Sequence, residues 1–475
     1  MIIGADQDLS ERTVSGAGWC GDSGGVVDWS FASLKRHETV WGPHGYHRYP
    51  AKFIPQLVRQ IIERYSDPGD LVGDTFVGSA TTGVEALRSG RRFWGSDINP
   101  VALLISRAKC QPLSPEALCQ DWECLSVRLK TVRRIGRRAL TEREIEEIQG
   151  INIAHATDEE RFTYWFPQAY REVLEAILFE IMSCTEAAYQ TFYLCSFSNI
   201  LKRTSIWLSG STKPQKDLGK YLADPVEEFQ KQTRDMVKRN TLYWKDLERM
   251  NFDPAWIFER YGLELADARH LPLEAEMLDF LVTSPPYATC YEYSELHQLT
   301  YLWLNRYHIF SQAPGLASYY IGSRGGTRRK KSEEQLALPL PPSAHIALEQ
   351  LLTKVKGVRA SAIVREAEHL TNYFHDMYAA LREANRVLVT GKKMVLIIGN
   401  TYRRGVMIPT SSAIGEMARE LGFDLEQRIV RKIPARILVS TRDMATGRFS
   451  SNAQSDSQAY PEEDILVFCK RSHCS

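Results

Sequence analysis

Metal-type cysteine spacing is missing from this sequence of 475 residues. Its nine cysteines are scattered, none standing as Cys-x-x-Cys and none joined to histidine at zinc spacing. That excludes a zinc ribbon or finger, so no metal is expected, and it predicts reduced thiols. No apolar run approaches the ~20 residues of a membrane helix, so no membrane partner is expected. The opening MIIGADQDLSERTVSG lacks the basic-then-apolar order of a signal peptide, and a cytoplasmic protein is expected. Charge of one sign is missing as well. With 59 Lys and Arg against 58 Asp and Glu, the net charge is +1, so any nucleic-acid surface must come from local basic clusters. Gly-Lys-Ser/Thr is absent too, which excludes a P-loop.

What is present is the composition of a soluble globular chain, 44% hydrophobic and 25% charged, long enough for two or three domains. Residues 1–40 are rich in Gly, Ser and Asp and predict a flexible arm. Pro55 opens a helix with Leu57, Val58, Ile61 and Ile62 on one face. LVGDTF (71–76) reads as a buried strand, VGSATTG as a small-residue loop, VEALRSG as a helix and RRFWGSD (91–97) as a second strand. This βαβ unit calls for a parallel sheet covered by helices. From about 100 to 250 the pattern is helical, with Tyr170, Val173, Leu174, Ile177, Leu178 and Ile181 in one stripe. Strands return at 263–267 and 278–284, and again around KMVLIIGN, EQRIVRKI and EDILVFCK. The expected fold is α/β, a doubly wound sheet of about seven strands with a C-terminal antiparallel hairpin and a helical insertion. The expected segments are the arm (1–40), a ligand-binding half (41–110), the insertion (111–255), a second half (256–312), a variable loop (313–368) and closing strands (369–475).

Ligands of such sheets bind outside the C-terminal strand ends. Three ends carry candidate chemistry: Asp74 with the loop to Gly83, Asp97, and Ser284-Pro-Pro-Tyr287. Small loop residues let a ligand approach the backbone and the helix N–H groups. An acidic residue closing the second strand suits the ribose hydroxyls of an adenosine. Asp74 disfavours a pyrophosphate there, so a cationic ligand with an adenosine fits better, and S-adenosylmethionine is that ligand. Ser-Pro-Pro-Tyr is a rigid corner, because neither proline can continue a central strand.

Several blocks, in order, resemble the bacterial and archaeal DNA amino-methyltransferases that make N4-methylcytosine or N6-methyladenine. They are HRYPAKFIPQL, DTFVGSATTGVEALRSGRRFWGSDINPVALLISRAK, VTSPPYATCYEYSELHQLTYLWL, YYIGS, YFHDMYAALREANRVLVTGKKMVLIIGN and EEDILVFCK. Together they span roughly 44–110, 263–323 and 371–470. The resemblance implies a Rossmann-like class I methyltransferase sheet and S-adenosylmethionine as cofactor. It implies that Tyr49, Pro50, Ala51, Lys52, Phe53, Asp74, Phe76, Gly78, Ser79, Ala80 and Thr81 hold the methionine end. By the same resemblance Asp97 binds the ribose, Ile98 lies on the adenine face and Asp267 reads the adenine amino group. Ser284, Pro285, Pro286 and Tyr287 then hold a target base flipped from double-stranded DNA, with Ser284 Oγ and the Pro285 carbonyl as acceptors and Tyr287 stacking. Relatives with Asp or Asn at the serine position lean the present Ser284 toward cytosine N4 over adenine N6. The family's second loop glycine is replaced by Ala80, which costs ~1 kcal/mol or more if that position needs φ > 0 and would crowd the cofactor.

Three basic clusters are candidates for DNA phosphates: Arg128 to Arg138; Lys202, Arg203, Lys213 and Lys216; and Arg324 to Lys331, including Arg328 and Arg329. The second is favoured because its loop interleaves Ser, Thr and Trp207 with the charges. The expectation is the modification enzyme of a restriction-modification system, working apart from a cognate endonuclease. The alternatives are an adenine-N6 enzyme, an RNA base methyltransferase, or a catalytically weak DNA-binding protein on the same fold.

Overall fold

In a computed structural model of the chain, the described residues are 14–15, 29–49, 52–211, 213–250, 252–288, 293–310, 319–322, 340–353, 360–433, 441–443, 449–450, 456–458 and 462–472. Seven strands build the main sheet: β1 (Leu71–Asp74), β2 (Arg92–Asp97), β3 (Tyr261–Leu265), β4 (Leu278–Thr283), β5 (Leu388–Ile398), β6 (Phe423–Lys432) and β7 (Glu462–Lys470). Their order is β3-β2-β1-β4-β5-β7-β6, and a two-residue strand, Val14–Ser15, pairs along the outer edge of β6. β1 to β5 are parallel to their neighbours, whereas β7 runs antiparallel between β5 and β6. The two closing strands are therefore neighbours as the hairpin expectation requires, and the last one inserts into the sheet rather than extending it. This is the doubly wound α/β sheet that the βαβ pattern foretold.

Apolar runs in the central strands are buried on both faces, as parallel sheets require. On one face lie α1 (Pro55–Tyr65) and α2 (Thr81–Arg88), and α3 (Pro100–Cys110) follows β2. On the other lie α11 (Pro342–Thr353), α12 (Ala360–Val387) and α13 (Thr410–Glu420). Gly73 in β1 is needed for this packing, since a Cβ there would sit 2.4 Å from Leu278 Cδ1.

The helical insertion has a core of its own. It comprises α4 (Pro115–Arg128), α5 (Glu142–Gln149), α6 (Asp158–Trp165), α7 (Gln168–Met182), α8 (Ala187–Ile200) and α9 (Pro225–Arg249). All six residues of the α7 stripe are buried. With α10 (Gln298–Arg306) from the second half, they enclose Trp122, Phe197, Trp207 and Trp303. α9 fastens the insertion to the sheet: Gln232 donates to the Tyr46 carbonyl, Asn240 exchanges two bonds with the Leu113 backbone, and Asp246 pairs with Arg88.

Two boundaries differ from expectation. The arm over 1–40 is docked in its described parts, with Trp29 only 4% exposed in the core shared with α1 and α2. The cause is burial of a large aromatic that the polar sequence around it conceals. In addition, α12 begins at Ala360, inside the variable stretch expected to run to 368.

Candidate active site

β1, β2 and β4 stop at Asp74, Asp97 and Thr283, beside the point where the strand order reverses. Open sheets leave a crevice there. A cleft of about 860 Å³, counting its open mouth and the solvent in it, occupies the position. Tyr49, Lys52, Phe53, Asp74, Phe76, Gly78, Ser79, Thr81, Asp97, Ile98, Asp267, Ser284 and Pro286, all expected from the sequence, line it. Pro50, Ala51, Arg328 and Arg329 lie outside the described residues.

After Asp74 the chain takes left-handed turns at Gly78 (φ +51°) and Ala80 (φ +52°) before α2 begins. The Ala80 N–H donates to the Val77 carbonyl at 2.8 Å. Two other carbonyls of the turn are caught by α3, where Ser106 Oγ donates to Gly78 (3.2 Å) and Lys109 Nζ donates to Ser79 (3.0 Å). Residues 106 and 109 are one turn apart and share a helix face. Lys109 is fully buried, and that burial draws its pKa down to about 7. Ala80 does occupy a left-handed position, but it packs in the core with α1 and does not line the cleft. The expected crowding of a ligand by its methyl is corrected accordingly.

Asp74 is 2% exposed and already satisfied by protein groups. One oxygen accepts from Thr283 Oγ1 (2.6 Å) and the Phe76 N–H (3.1 Å), and the other accepts from Thr82 Oγ1 (2.7 Å). It ties the β1 loop to the last residue of β4 instead of standing open to a cation. Asp97 accepts from the N–H groups of Gly78 (2.8 Å) and Asn99 (2.9 Å). Burial outweighs these donors and pushes both carboxyls up to about 6.

Asn99 was missed in the sequence. Its Oδ1 accepts from the Val101 N–H (2.9 Å) and from Tyr301 (3.1 Å), so its Nδ2 donates to His297 Nδ1 (2.8 Å). This fixes the His297 proton on Nε2, which has no partner among the described residues, and burial holds the ring neutral with a pKa lowered to about 4. An Asn followed by Pro100 signals a helix cap, but not a link to α10, nearly 200 residues away.

In the Ser-Pro-Pro-Tyr corner, Ser284 Oγ donates to the Ile397 carbonyl of β5 at 3.1 Å. A hydroxyl whose proton is committed in this way presents only lone pairs to the cleft. Tyr373 donates to the Pro286 carbonyl (3.0 Å). Pro285 is buried and does not line the cleft; it lies over α12. Tyr287 is also outside the lining, its hydroxyl donating to Glu463 at 2.9 Å. Asp267, expected to read an adenine amino group, lines the cleft, and each of its oxygens also accepts from Arg269. Tyr319, Tyr320 and Ile321 complete the wall; they fall in YYIGS, and the sequence alone assigns them no contact.

An adenosine-bearing cation suits this lining. The Ser79 and Thr81 hydroxyls are buried beside the cleft without a partner among the described residues, and a buried polar atom left alone calls for a ligand group. Asp97 offers the acceptors that ribose hydroxyls need, while the Lys52 ammonium, which also donates to the His44 carbonyl at 2.7 Å, offers a counter-charge for a carboxylate.

The basic clusters fare unevenly. Arg128, Arg134 and Arg138 are committed to Glu180, Asp224 and Glu144. In the favoured loop, Trp207 is 2% exposed and stacked on Trp165, so it is core and not an exposed reader. Lys202 donates to the Ser211 carbonyl and Arg203 pairs with Glu228 at 2.6 Å, whereas Lys213 and Lys216 are exposed.

Residues 7–107 match the family model described as DNA methylase. The type II methyltransferase M.MvaI of Kocuria varians is 24% identical over 405 residues, covering 82% of this chain and 84% of that protein. M.BsoBI of Geobacillus stearothermophilus is 21% identical over 407 residues, covering 80% and 78%. Among solved structures, TrmN from Thermus thermophilus aligns with 88% of this chain and 49% of its own at 10% identity, with a TM-score of 0.27.

Proposed function

Because this chain belongs to the N4/N6 family of DNA methyltransferases, we propose that it methylates the exocyclic N4 of a cytosine in double-stranded DNA at a specific site, using S-adenosylmethionine. The observation that carries the reading is Ser284, a hydroxyl on the cleft wall whose own proton is parked on the Ile397 carbonyl. An exocyclic amine is a poor nucleophile because its lone pair is delocalised into the ring. Acceptors fixed on its hydrogens draw the nitrogen toward tetrahedral geometry, and preorganised acceptors do this without reorganisation. Ser284 Oγ fills that role from the cleft wall, held by the prolines and by Tyr373 on Pro286; the Pro285 carbonyl, the second acceptor that the resemblance implies, belongs to a buried residue outside the lining and would have to turn toward the cleft.

When bound, the cofactor supplies an electrophilic methyl on a sulfonium. Asp97 orients its ribose, Ser79 and Thr81 its polar end, and Lys52 its carboxylate. The methyl that the cofactor would supply would pass to the amine nitrogen with the thioether as leaving group, and the surplus proton on that nitrogen would leave for solvent. A base inside a duplex is out of reach of such a cleft and must be flipped into it. Tyr287, which stands outside the lining with its hydroxyl on Glu463, would have to turn toward the cleft to give the stacking face that the resemblance implies. Cytosine is favoured over adenine by the serine at position 284, and N6 of adenine is the second reading. The position of Ala80 away from the cleft weighs against a merely DNA-binding relic.

Digestion of unmethylated DNA after incubation with labelled S-adenosylmethionine tests the proposal. N4-methylcytosine is expected; N6-methyladenine alone overturns the cytosine assignment, and unlabelled DNA overturns the enzyme reading. Ser284→Ala is expected to lower kcat by ~10²-fold, the scale of losing one preorganised polar contact, while leaving cofactor affinity within twofold.

A further inference from the structure

We infer that Arg269 is a positioning residue that ties the purine end of the cofactor cleft to the Ser-Pro-Pro-Tyr corner through α12. The inference rests on the function proposed above. Arg269 is 2% exposed, and its guanidinium serves three separate pieces of the chain. Nε and Nη2 donate to Asp267, just beyond β3, at 2.9 and 2.6 Å. Nη1 pairs with Asp376 of α12 at 2.9 Å, and Nη2 also donates to the Tyr319 carbonyl at 3.0 Å. Asp267 and Tyr319 both line the cleft. Three residues before Asp376 on α12, Tyr373 donates to the Pro286 carbonyl, and Pro286 lines the cleft beside Ser284. Residues 373 and 376 share one helix face. A single turn of α12 therefore holds the target corner with one side chain and the purine wall with the other.

The chemistry of the joint is specific to arginine. A planar guanidinium with five donors can engage two carboxylates and a carbonyl at once, whereas an ammonium is a point charge without that fork. Asp267, gripped at both oxygens, can turn only its remaining lone pairs toward a ligand. An ordinary structural ion pair would join two elements away from the cleft. Here every partner either lines the cleft or lies one turn from a residue that grips its wall.

Arg269→Lys and Tyr373→Phe separate this from a role in folding alone. Affinity for S-adenosylhomocysteine is measured by calorimetry without DNA, and kcat at saturating cofactor. Arg269→Lys is expected to weaken S-adenosylhomocysteine binding ~10-fold and to lower kcat ~10-fold as well, within the range of losses on breaking charged hydrogen bonds. Tyr373→Phe removes one hydroxyl and preserves the core; it is expected to lower kcat severalfold with cofactor affinity unchanged. The double variant is expected to turn over no more slowly than Arg269→Lys, because the two residues act through one joint. Folded Arg269→Lys protein with wild-type affinity and kcat overturns the inference, and so does Tyr373→Phe with wild-type kcat. A wild type that binds no S-adenosylhomocysteine overturns the functional reading together with this inference; binding with unaltered variants overturns this inference alone.

Discussion

At the residue scale, Ala80 is a balance of three small terms. Its left-handed backbone costs ~1–2 kcal/mol. Glycine would relieve that cost but give back ~0.5–1 kcal/mol in chain entropy and ~0.8 kcal/mol of buried methyl. Ala80→Gly is therefore expected to shift stability, measured by urea denaturation, by less than ~1 kcal/mol. It is expected to change S-adenosylhomocysteine affinity by less than twofold, since the methyl packs in the core and not in the cleft. A tenfold gain in affinity would show that the methyl does crowd the ligand. The φ requirement at this position was legible from the sequence. The direction of the methyl was not, because it depends on how α1 and α2 close over the turn.

At the scale of elements, the loop between α8 and α9 is a braced structure. The Lys220 ammonium donates to the carbonyls of Lys202, Ser205 and Trp207 at 2.8, 2.8 and 2.7 Å, and burial pulls its pKa down to about 8. Lys202 and Arg203 are spent on this bracing and on Glu228, whereas Lys213 and Lys216 are exposed, the latter over the Tyr164 ring, and on the proposed reading these two meet phosphates. Replacing both by Gln is expected to reduce the slope of log K for DNA against log salt by ~2, at about 1 per phosphate contact. Arg203→Gln is expected to leave that slope unchanged, and an equal fall in both variants would refute the division. Charge type and clustering were visible in the sequence, but partners were not: a lysine that caps carbonyls and one that waits for phosphate look alike in one dimension. Periodicity did place the strands, with β1, β2 and β4 ending within two residues of their expected limits. The insertion of β7 between β5 and β6 was hidden, since pairing choice between apolar strands leaves no periodic trace. The cleft was legible through Asp97 and Ser284, whose strand-end positions carry chemistry. Asn99 and Arg269 were not, because their roles lie in contacts with distant segments.

For the whole molecule, buried titratable groups pull stability in opposite directions on acidification. His44 and His297 are held neutral by burial with pKa values near 4, and His47 is lowered as well. Between pH 4 and 6.5 the unfolded chain binds more protons at these rings, so their contribution is full above 6.5 and is lost as pH falls. Asp74 and Asp97, raised to about 6, behave oppositely: the folded state takes up protons first, and acidification from 6 toward 4 relieves the cost of burying their charge. Relative to wild type, His297→Gln is expected to gain ~2–3 kcal/mol between pH 7 and 4.5, and Asp97→Asn to lose a similar amount. Urea denaturation at both pH values checks the two signs, and a shared sign would contradict the assignment.

The hydrogen bond from Thr283 to Asp74 spans 209 residues of chain. At roughly 5–20 residues per second of synthesis, about 10–40 s separate the emergence of the carboxylate from that of the hydroxyl. In that interval a nascent chain carries the cofactor loop with no target corner, and Asp74 is an enclosed acid that lacks one of its donors. The two halves of the cleft are thus separated in time of emergence, and the insertion between them supplies most of the delay.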